Sequence, residues 1–392
     1  MKKLIAVMLS FVLAFSASVV AFAAVPGEND VLKFDENGEF VIFNICDMQD
    51  NFPMHKTTKA FVTDMINKYN PDIVVLGGDN TVAPKDVKAD AVKEICDIFV
   101  STETYFTLVF GNHDDEQGVS REELLQMYQT YGGEYCLAYD AVPELTGVGT
   151  HNLTVKSSDG ERIAYNLYMF DSNSYTEFGY DAVHEDQIEW YKQTSAAAKE
   201  ANDGETVYAM AFQHIIVQEI YDELFHDFPG AVGDATLNFD GKSYTYFPFV
   251  KNIKDGFLLE APCPGYYNYG QFDAFVETGD VVATFSGHDH LNSFTVTRDG
   301  VDIVNTPGCS FESYGDNSTR GLRMLTINEN DTSKYKSELL TVSEYILNGG
   351  SHLTQYGEIT VFDAVLGVVQ KVLMKLYIFL AGVISSIYGV KI

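Results

Sequence analysis

Five groups of polar residues, each placed directly after an apolar run, contain the residue types that could do chemistry in this chain. They combine carboxylates, carboxamides and imidazoles, and they are Asp47, Gln49, Asp79, Asn112, His113, His214, His288 and His290. Alone, each group is weak evidence, because Gly-Asp at a strand end is commonly a turn and a lone histidine is commonly structural. Five such groups in this order are hard to obtain by accident. Their oxygen and nitrogen atoms suit a pair of Mn, Fe, Zn or Co ions, whereas a thiolate site would need cysteine.

The spacing inside two of the groups supports metal binding. Asp47 and Gln49 are two residues apart on a segment that we expect to be extended, as are His288 and His290. Side chains two apart on an extended segment face the same side, so each pair can hold an ion. Cys46 should face the opposite side and is not expected to be a ligand.

The elements that must position these residues alternate between strand and helix. Apolar runs predict strands at residues 40–46, 73–76, 105–110, 207–212 and 281–285. Helical patterns lie at residues 57–69, 86–99, 122–131 and 185–201. The first part of this order is a βαβαβ pattern, which indicates parallel strands with functional loops at their carboxyl ends. The fold class is therefore α/β.

The rest of the chain predicts a second sheet and one main domain. Residues 134–172 read as strands with turns, and strand-like runs near 292–304 and 323–328 are expected to complete the second sheet. With no clear internal boundary, we expect one catalytic domain over residues 24–345 and a C-terminal extension over 346–392.

The net charge and the N-terminal residues indicate which partners the protein avoids and in which compartment it works. There are 25 Lys and Arg against 56 Asp and Glu, a net charge of −31 that disfavours a nucleic-acid-binding role because it repels polyphosphate backbones. Lys2 and Lys3, an apolar run and Ala21-Phe22-Ala23 predict a secretory signal over residues 1–23, with an uncleaved membrane anchor as the alternative. We expect a secreted or cell-surface protein. Five cysteines, an odd number, do not form a disulfide framework.

Together the motifs resemble the calcineurin-like metallophosphoesterase superfamily, whose pattern is Asp-x-His, Gly-Asp, Gly-Asn-His-Asp/Glu, a lone His and Gly-His-x-His. The resemblance covers residues 38–310. The stretches GNHDDE at 111–116, NYGQF at 268–272 and GHDHLNSF at 287–294 are similar to its purple-acid-phosphatase-like bacterial and fungal branch. The resemblance implies a four-layer α/β-β/α sandwich with two mixed sheets, and a small phosphate ester as substrate.

Carried over residue by residue, the resemblance implies two divalent ions. The first would take Asp47, Gln49, Asp79 and His290. The second would take Asp79, Asn112, His214 and His288, with Asp79 bridging. A hydroxide shared by the two ions would attack phosphorus in line.

Asn112 and His113 are the expected catalytic residues and would also contact substrate. His113 would protonate the leaving oxygen or steady the charged transition state. Asp114 or Asp50 would either orient His113 or cap a helix or turn.

Two positions depart from the family pattern. Gln49 stands where the family has His, which predicts weaker binding of the first ion or a preference for a harder ion such as Mn. Val82 stands where true purple acid phosphatases have an iron-binding Tyr, so we expect a colourless protein.

The sequence leaves two questions open: whether residues 266–268 contact substrate, and where the C-terminal helix lies. Tyr266, Tyr267 and Asn268 would either line a pocket mouth, where they could stack on a nucleobase or sugar, or pack against the sheet. Residues 360–390 predict a helix with a wide apolar face, whose uncharged stretch of 15 residues at 376–390 is shorter than the ~20 that a spanning helix needs. This helix would lie on a membrane surface, span the membrane, or pack on the catalytic domain or another subunit.

Two functions therefore remain. The favoured one is an exported metal-dependent phosphoesterase that hydrolyses phosphate monoesters or diesters. The alternative is a cell-surface binding protein that keeps the fold and has lost turnover through Gln49.

Overall fold

The structure is a computed structural model that describes residues 27–29, 31–225, 236–239, 242–245 and 252–388. The predicted secretory signal at residues 1–23 lies outside the described residues.

Strands and helices alternate along the described chain. The strands are β1 (Glu39–Ile45), β2 (Ile73–Gly77), β3 (Phe106–Val109), β4 (His151–Lys156), β5 (Ile163–Met169), β6 (Ala209–Phe212), β7 (Thr236–Phe239), β8 (Lys242–Thr245), β9 (Ile253–Asp255), β10 (Val281–Ser286), β11 (Thr295–Arg298), β12 (Val301–Asn305), β13 (Gly321–Asn328) and β14 (Tyr335–Thr341). The α-helices are α1 (Lys56–Tyr69), α2 (Lys88–Ser101), α3 (Arg121–Gly132), α4 (Glu185–Ala201), α5 (Ile220–Leu224), α6 (Gln271–Thr278), α7 (Val342–Leu347) and α8 (Val361–Tyr388).

Most of these strands form two mixed sheets. The first has the order β14-β13-β1-β2-β3, and the second has the order β4-β5-β6-β10-β12-β11-β9. In the first sheet β1, β2 and β3 run parallel, as the βαβαβ pattern predicted. In the second sheet β5, β6, β10 and β12 are also parallel neighbours. The parallel strands therefore bring the ends of β1, β2, β3, β6 and β10 to loops that can form one site.

Three apolar cores separate four layers, which confirms the predicted α/β-β/α sandwich. One core packs α1, α2 and α3 against the first sheet, and a second fills the space between the sheets. A third packs α4 and α6 against the second sheet. Strand β1 shows how alternation builds the layers: Phe43 points into the helical core, whereas Ile42 points into the core between the sheets.

One predicted strand joins a different sheet from the one expected. The run at 323–328 was expected in the second sheet, and that prediction is wrong. This run lies in β13, which pairs antiparallel with β1 in the first sheet, with Glu39 opposite Asn328. Between β12 and β13 the chain crosses from one sheet to the other beside the end of β1, where the Cys309 backbone N–H donates to the Cys46 carbonyl at 3.1 Å. A strand pattern shows which residues are apolar but not which strand they pair with.

The continuous helix predicted for residues 360–390 is confirmed by α8, which runs over Val361–Tyr388. It packs on the rest of the protein at two places: Ala364 belongs to the core of the first helical layer, and Ala381 belongs to the core of the second. The domain boundary near residue 345 stays a prediction.

Candidate metal centre

The seven predicted metal ligands all follow parallel strands, and the structure buries them together. Those after the first sheet are Asp47, Gln49, Asp79 and Asn112, and those after the second are His214, His288 and His290. Each is at most 9% exposed. We call these seven residues the metal centre.

The backbone at the metal centre differs from the prediction. Asp47 and Gln49, like His288, were expected on extended segments, and that expectation is wrong. Their φ angles are +50°, +35° and +70°, in the left-handed region that residues other than glycine rarely adopt. Asp79 has φ +49° as well. The side chains therefore converge through strained turns, and strain of this kind is concentrated at functional sites.

Two glycines allow the loops to approach this closely. Gly78 has φ +92°, and a Cβ there would lie 2.5 Å from Nδ1 of His214. A Cβ on Gly111 would lie 2.1 Å from Oδ1 of Asp79. A side chain at either position would push a ligand out of place.

The two central carboxylates are held by backbone donors. The His288 N–H donates to Asp47 at 3.0 Å, and the His113 N–H donates to Asp79 at 2.8 Å. Burial raises the pKa of Asp47 well above its usual range. Burial also opposes ionisation of Asp79, but the neighbouring His214 more than offsets that effect and holds the pKa of Asp79 below its usual range.

The imidazoles are oriented with one nitrogen toward the carboxylates. Nδ1 of His214 donates to the Gly77 carbonyl at 2.9 Å, and Nδ1 of His290 donates to the Tyr314 carbonyl at 3.1 Å. Their Nε2 atoms lie 3.2 Å from Asp79 Oδ2 and 3.4 Å from Asp47 Oδ1, respectively. Hydrogen bonding of one ring nitrogen to a carbonyl is the usual way in which a metal-binding histidine is oriented.

Protonation of the three rings follows from burial and charge. Burial lowers the pKa of His288 to about 3 and that of His290 to about 4, so both rings are neutral near pH 7. Burial alone would lower the pKa of His214, but the Asp79 and Asp47 carboxylates raise it to about 10. A cation would compete with that proton for the His214 lone pair.

Two buried atoms show that the centre fits a cation. Oδ1 of Asn112 is buried and makes no hydrogen bond, and Nε2 of His214 is buried with the Asp79 carboxylate, 3.2 Å away, as its nearest partner. Ligand atoms of Asp79, His214 and His288 lie within 4.8 Å of one another. Buried polar atoms normally have partners, so the free lone pairs of Asn112 Oδ1 beside carboxylates are what a metal ion would use, and the same ion would displace the proton on His214.

His113 lies at the edge of the centre and is held by residues that sequence reasoning missed. Its Nδ1 lies 2.6 Å from Oε2 of Glu116, and its side chain is 37% exposed. The Tyr175 hydroxyl donates to Oε1 of Glu116 at 2.9 Å and accepts from Nδ2 of Asn112 at 2.8 Å. We call Asn112, His113, Glu116 and Tyr175 the mouth network. Glu116 stands three residues after His113, a spacing that brings side chains together in a helical turn, but nothing in the sequence marks Tyr175.

Asp114 and Asp50 take the structural role that was their alternative. The Asp114 carboxylate accepts from the Gly111 N–H and the Asn80 N–H, each at 2.9 Å, and so fastens the loops after β3 and β2 to each other. Oδ1 of Asp50 accepts from the His55 N–H at 2.8 Å. Neither has a hydrogen bond to His113 in the structure.

The aromatic segment before α6 lies beside the mouth network. Tyr266 stacks on Phe178, with ring centroids 5.1 Å apart, and Tyr267 meets the same ring edge-on at 6.2 Å. Phe178 and Tyr175 belong to one loop. The Asn268 amide donates to Glu219 at 2.6 Å, and its oxygen accepts from the Gly270 N–H at 2.8 Å. The substrate roles of Tyr267 and Asn268 stay predictions.

The chain is similar to one protein family, to curated relatives and to solved structures. The profile of the family described as Calcineurin-like phosphoesterase matches residues 40–292. The chain is 26% identical over 341 residues to Probable inactive purple acid phosphatase 29 of Arabidopsis thaliana, which covers 78% of this chain and 81% of that protein. It is 25% identical over 314 residues to Phosphatase DCR2 of Saccharomyces cerevisiae, covering 72% of this chain and 49% of that one. A solved dimetal phosphatase from Danio rerio aligns with a TM-score of 0.45 and 11% identity over 76% of this chain and 98% of its own. All seven residues of the metal centre lie inside the matched range 40–292.

Proposed function

Because the chain belongs to the calcineurin-like phosphoesterase family, we propose that it is a metal-dependent hydrolase of small phosphate esters. The observation that carries the proposal is the burial of seven ligand side chains at one place, with Oδ1 of Asn112 left without a hydrogen bond and Nε2 of His214 directed at the Asp79 carboxylate. Burying such groups is costly unless something binds them. A pair of divalent cations would satisfy them.

The ligand sets that we propose are those given by the family pattern. Asp47, Gln49, Asp79 and His290 would hold one ion. Asp79, Asn112, His214 and His288 would hold the other. When bound, two such ions lower the pKa of water and offset the charge of the phosphoryl group.

The amide of Gln49 stands where the family pattern has an imidazole. Its Nε2 donates to Oδ2 of Asp79 at 3.0 Å. Rotation of the terminal amide by half a turn would present Oε1 to the same place, where it could bind an ion. A neutral oxygen ligand favours a harder ion, so we propose Mn over Zn for the first site.

Apart from Asn112, which is also a proposed metal ligand, the mouth network would serve the reaction. The His113 imidazole is exposed and bonded to Glu116, so it can donate a proton to the leaving oxygen while the carboxylate keeps the ring oriented. Tyr175 fixes the nitrogen end of the Asn112 amide at 2.8 Å, which turns Oδ1 of Asn112 inward. Substrate would therefore meet His113 from the open side and the metal ligands from the buried side.

A binding protein without turnover is the second candidate. The name of the Arabidopsis relative contains the word inactive, and Gln49 weakens one ligand set of this chain. Both observations fit a protein that binds a phosphate compound and releases it unchanged.

Hydrolysis with controlled metal content separates the two candidates. We suggest stripping the purified protein with a chelator, then measuring hydrolysis of an aryl phosphomonoester and an aryl phosphodiester after adding Mn, Zn, Co or Fe(II). The hydrolase predicts activity that returns with metal, with Mn at least as effective as Zn. No activity with any metal, together with less than one bound ion per chain, would instead support the binding protein.

We also propose that the protein is exported. The support is the sequence of residues 1–23, with its basic start, apolar run and Ala-x-Ala site. N-terminal sequencing of protein recovered outside the cells that produce it should begin at Ala24.

A further inference from the structure

Helix α8 has one face packed on the protein, which we call the inner face, and this face carries its small and charged residues. Ala364 and Ala381 are buried in two different cores. Gly367 lies so close to the loop before β13 that a Cβ would be 2.5 Å from the Asn317 carbonyl oxygen. Lys371 forms an ion pair with Glu344 of α7, with Nζ and Oε2 2.6 Å apart.

The opposite face is apolar and exposed over its whole described length. Thirteen large apolar side chains of α8 are 37% to 68% exposed, and they are Val361, Phe362, Val365, Leu366, Val369, Val372, Leu373, Leu376, Tyr377, Phe379, Leu380, Val383 and Ile384. At about 100° per residue they occupy one continuous sector of roughly 160°. No charged residue falls in that sector between residues 361 and 384. We call these thirteen residues the outer face.

This distribution is the reverse of that of an ordinary surface helix. Such a helix buries its apolar stripe and exposes its polar residues. Here the most deeply buried positions of the packed side hold Ala and Gly, with Lys371 and Ile378 beside them, while Phe, Leu and Val face outward. Exposed apolar patches of this size mark contact with another protein or with a membrane.

We propose that the outer face of α8 binds a lipid bilayer, with the helix lying in the plane of the membrane interface. The helix does not fit a spanning orientation, because it is packed on the domain from Ala364 to Ala381, about 25 Å along its axis. A helix that lies in the interface needs a wide apolar face toward the lipid, and on α8 the opposite face is covered by the domain.

A second copy of the chain fits this face less well than lipid does. Paired helices bury a narrow seam, whereas the apolar sector of about 160° would leave most of its width exposed in a two-helix contact. Close helix packing also uses small residues, and those of α8 are on the inner face at Ala364, Gly367 and Ala381. Lipid chains have no such geometric requirement.

The charge of the protein indicates which lipids it would bind. The net charge is −31, and Lys371 is already paired with Glu344. Attraction to anionic headgroups is therefore weak, and binding should come from burial of apolar side chains. We expect binding to zwitterionic vesicles that does not weaken at high salt.

The test is vesicle flotation with variants of the full chain. In one variant Val372, Leu376 and Phe379, which are 60%, 50% and 65% exposed, are each replaced by Glu. The matched control places the same three charges at Val31, Val100 and Val276, which are 43%, 38% and 39% exposed in other parts of the molecule. The probe is phosphatidylcholine vesicles at low and high salt. Each protein is recovered after export and begins at Ala24, so residues 1–23 do not contribute to binding.

The wild type and the control should float with vesicles. The partition coefficient of the outer-face variant between vesicles and water should be at least tenfold lower. All three should have equal melting temperatures and metal content, because the substituted side chains are exposed. Failure of the wild type to bind, or equal binding by the outer-face variant, would overturn the proposal. A wild-type dimer that becomes monomeric in the outer-face variant, without vesicle binding, would overturn it too and assign the face to a second copy. The proposal does not depend on hydrolysis, since no residue of α8 belongs to the metal centre.

Discussion

The metal centre and the outer face of α8 both reverse the usual distribution of polar and apolar residues, but in opposite senses. The metal centre buries seven polar side chains at the ends of five strands. The outer face exposes thirteen large apolar side chains on one helix. Folded proteins seldom keep either arrangement, because buried carboxylates lose hydration and exposed apolar surface orders water.

In both regions the folded chain alone pays a free-energy penalty, and the nature of that penalty indicates what kind of partner would relieve it. At the metal centre the cost is charge and lone pairs without partners, so the matching partner is a cation. At α8 the penalty is the exposure of a wide apolar surface to water, so the matching partner is the apolar interior of a lipid bilayer. The chemistry of each surface therefore determines the class of its partner, and changing that chemistry should remove one partner without affecting the other.

The largest effect is expected at the centre of the buried region. Replacing Asp79→Asn removes the carboxylate that both proposed ion sites share. Loss of several kcal/mol of charge stabilisation corresponds to a fall in hydrolysis of about 10⁴-fold or more. Bound metal measured by mass spectrometry should fall, and so should the rise in melting temperature on adding Mn. Vesicle binding should be unchanged.

Asp72→Asn is the matched control for that variant. Burial raises the pKa of Asp72 to about 6, and its Oδ2 accepts from the Val41 N–H at 2.7 Å, in the first sheet but outside the metal centre. It should keep full metal content. If both variants lost metal equally, the effect would be one of folding rather than of ligand removal.

The next effect separates binding from turnover. His113→Ala should lower turnover by about 10²–10⁴-fold, the range for loss of a general acid, because it removes the proposed proton donor. Metal content should stay that of the wild type, since the ring lies at the exposed edge and only its backbone N–H touches Asp79. Loss of metal in this variant would place His113 among the ligands and contradict its proposed role.

The sequence predicted which residues come together far better than it predicted their backbone geometry. The ligand positions follow strands whose predicted bounds agree with the structure within two residues, as with 40–46 against Glu39–Ile45. That agreement reflects local physics, since apolar runs and turns are short-range signals. The left-handed backbone of Asp47 and His288 is not a local preference, so it depends on packing that the sequence pattern does not contain.

Long-range contacts limited the sequence interpretation in three other places. β13 joined the first sheet instead of the second, because pairing is decided by the whole fold. Tyr175 reaches Asn112 across 63 positions, and no motif signals that return. For α8 the pattern predicted a wide apolar face, but the structure was needed to show that the small and charged residues face inward.

A smaller effect tests how the mouth network positions His113. Glu116→Gln replaces a carboxylate that bonds both His113 and Tyr175 with an amide. Loss of one charged hydrogen bond, about 1.5 kcal/mol, should lower turnover about tenfold. The KM and the metal content should change little, because Glu116 is not a ligand. Glu122→Gln, at an exposed glutamate of α3, should have no effect. Equal rates for both variants would remove Glu116 from the positioning role.

The last effect is on stability alone and compares the two faces of α8 itself. Ala381→Gln forces a long side chain into a core where Ala381 is 5% exposed, and overpacking of this kind should lower the free energy of unfolding by about 1–3 kcal/mol. Val372→Gln, at a side chain that is 60% exposed, should change it by no more than about 0.5 kcal/mol. Urea unfolding followed by circular dichroism measures both. The opposite order would mean that the apolar side of α8 packs on the domain, and the lipid proposal would then lose the surface on which it depends.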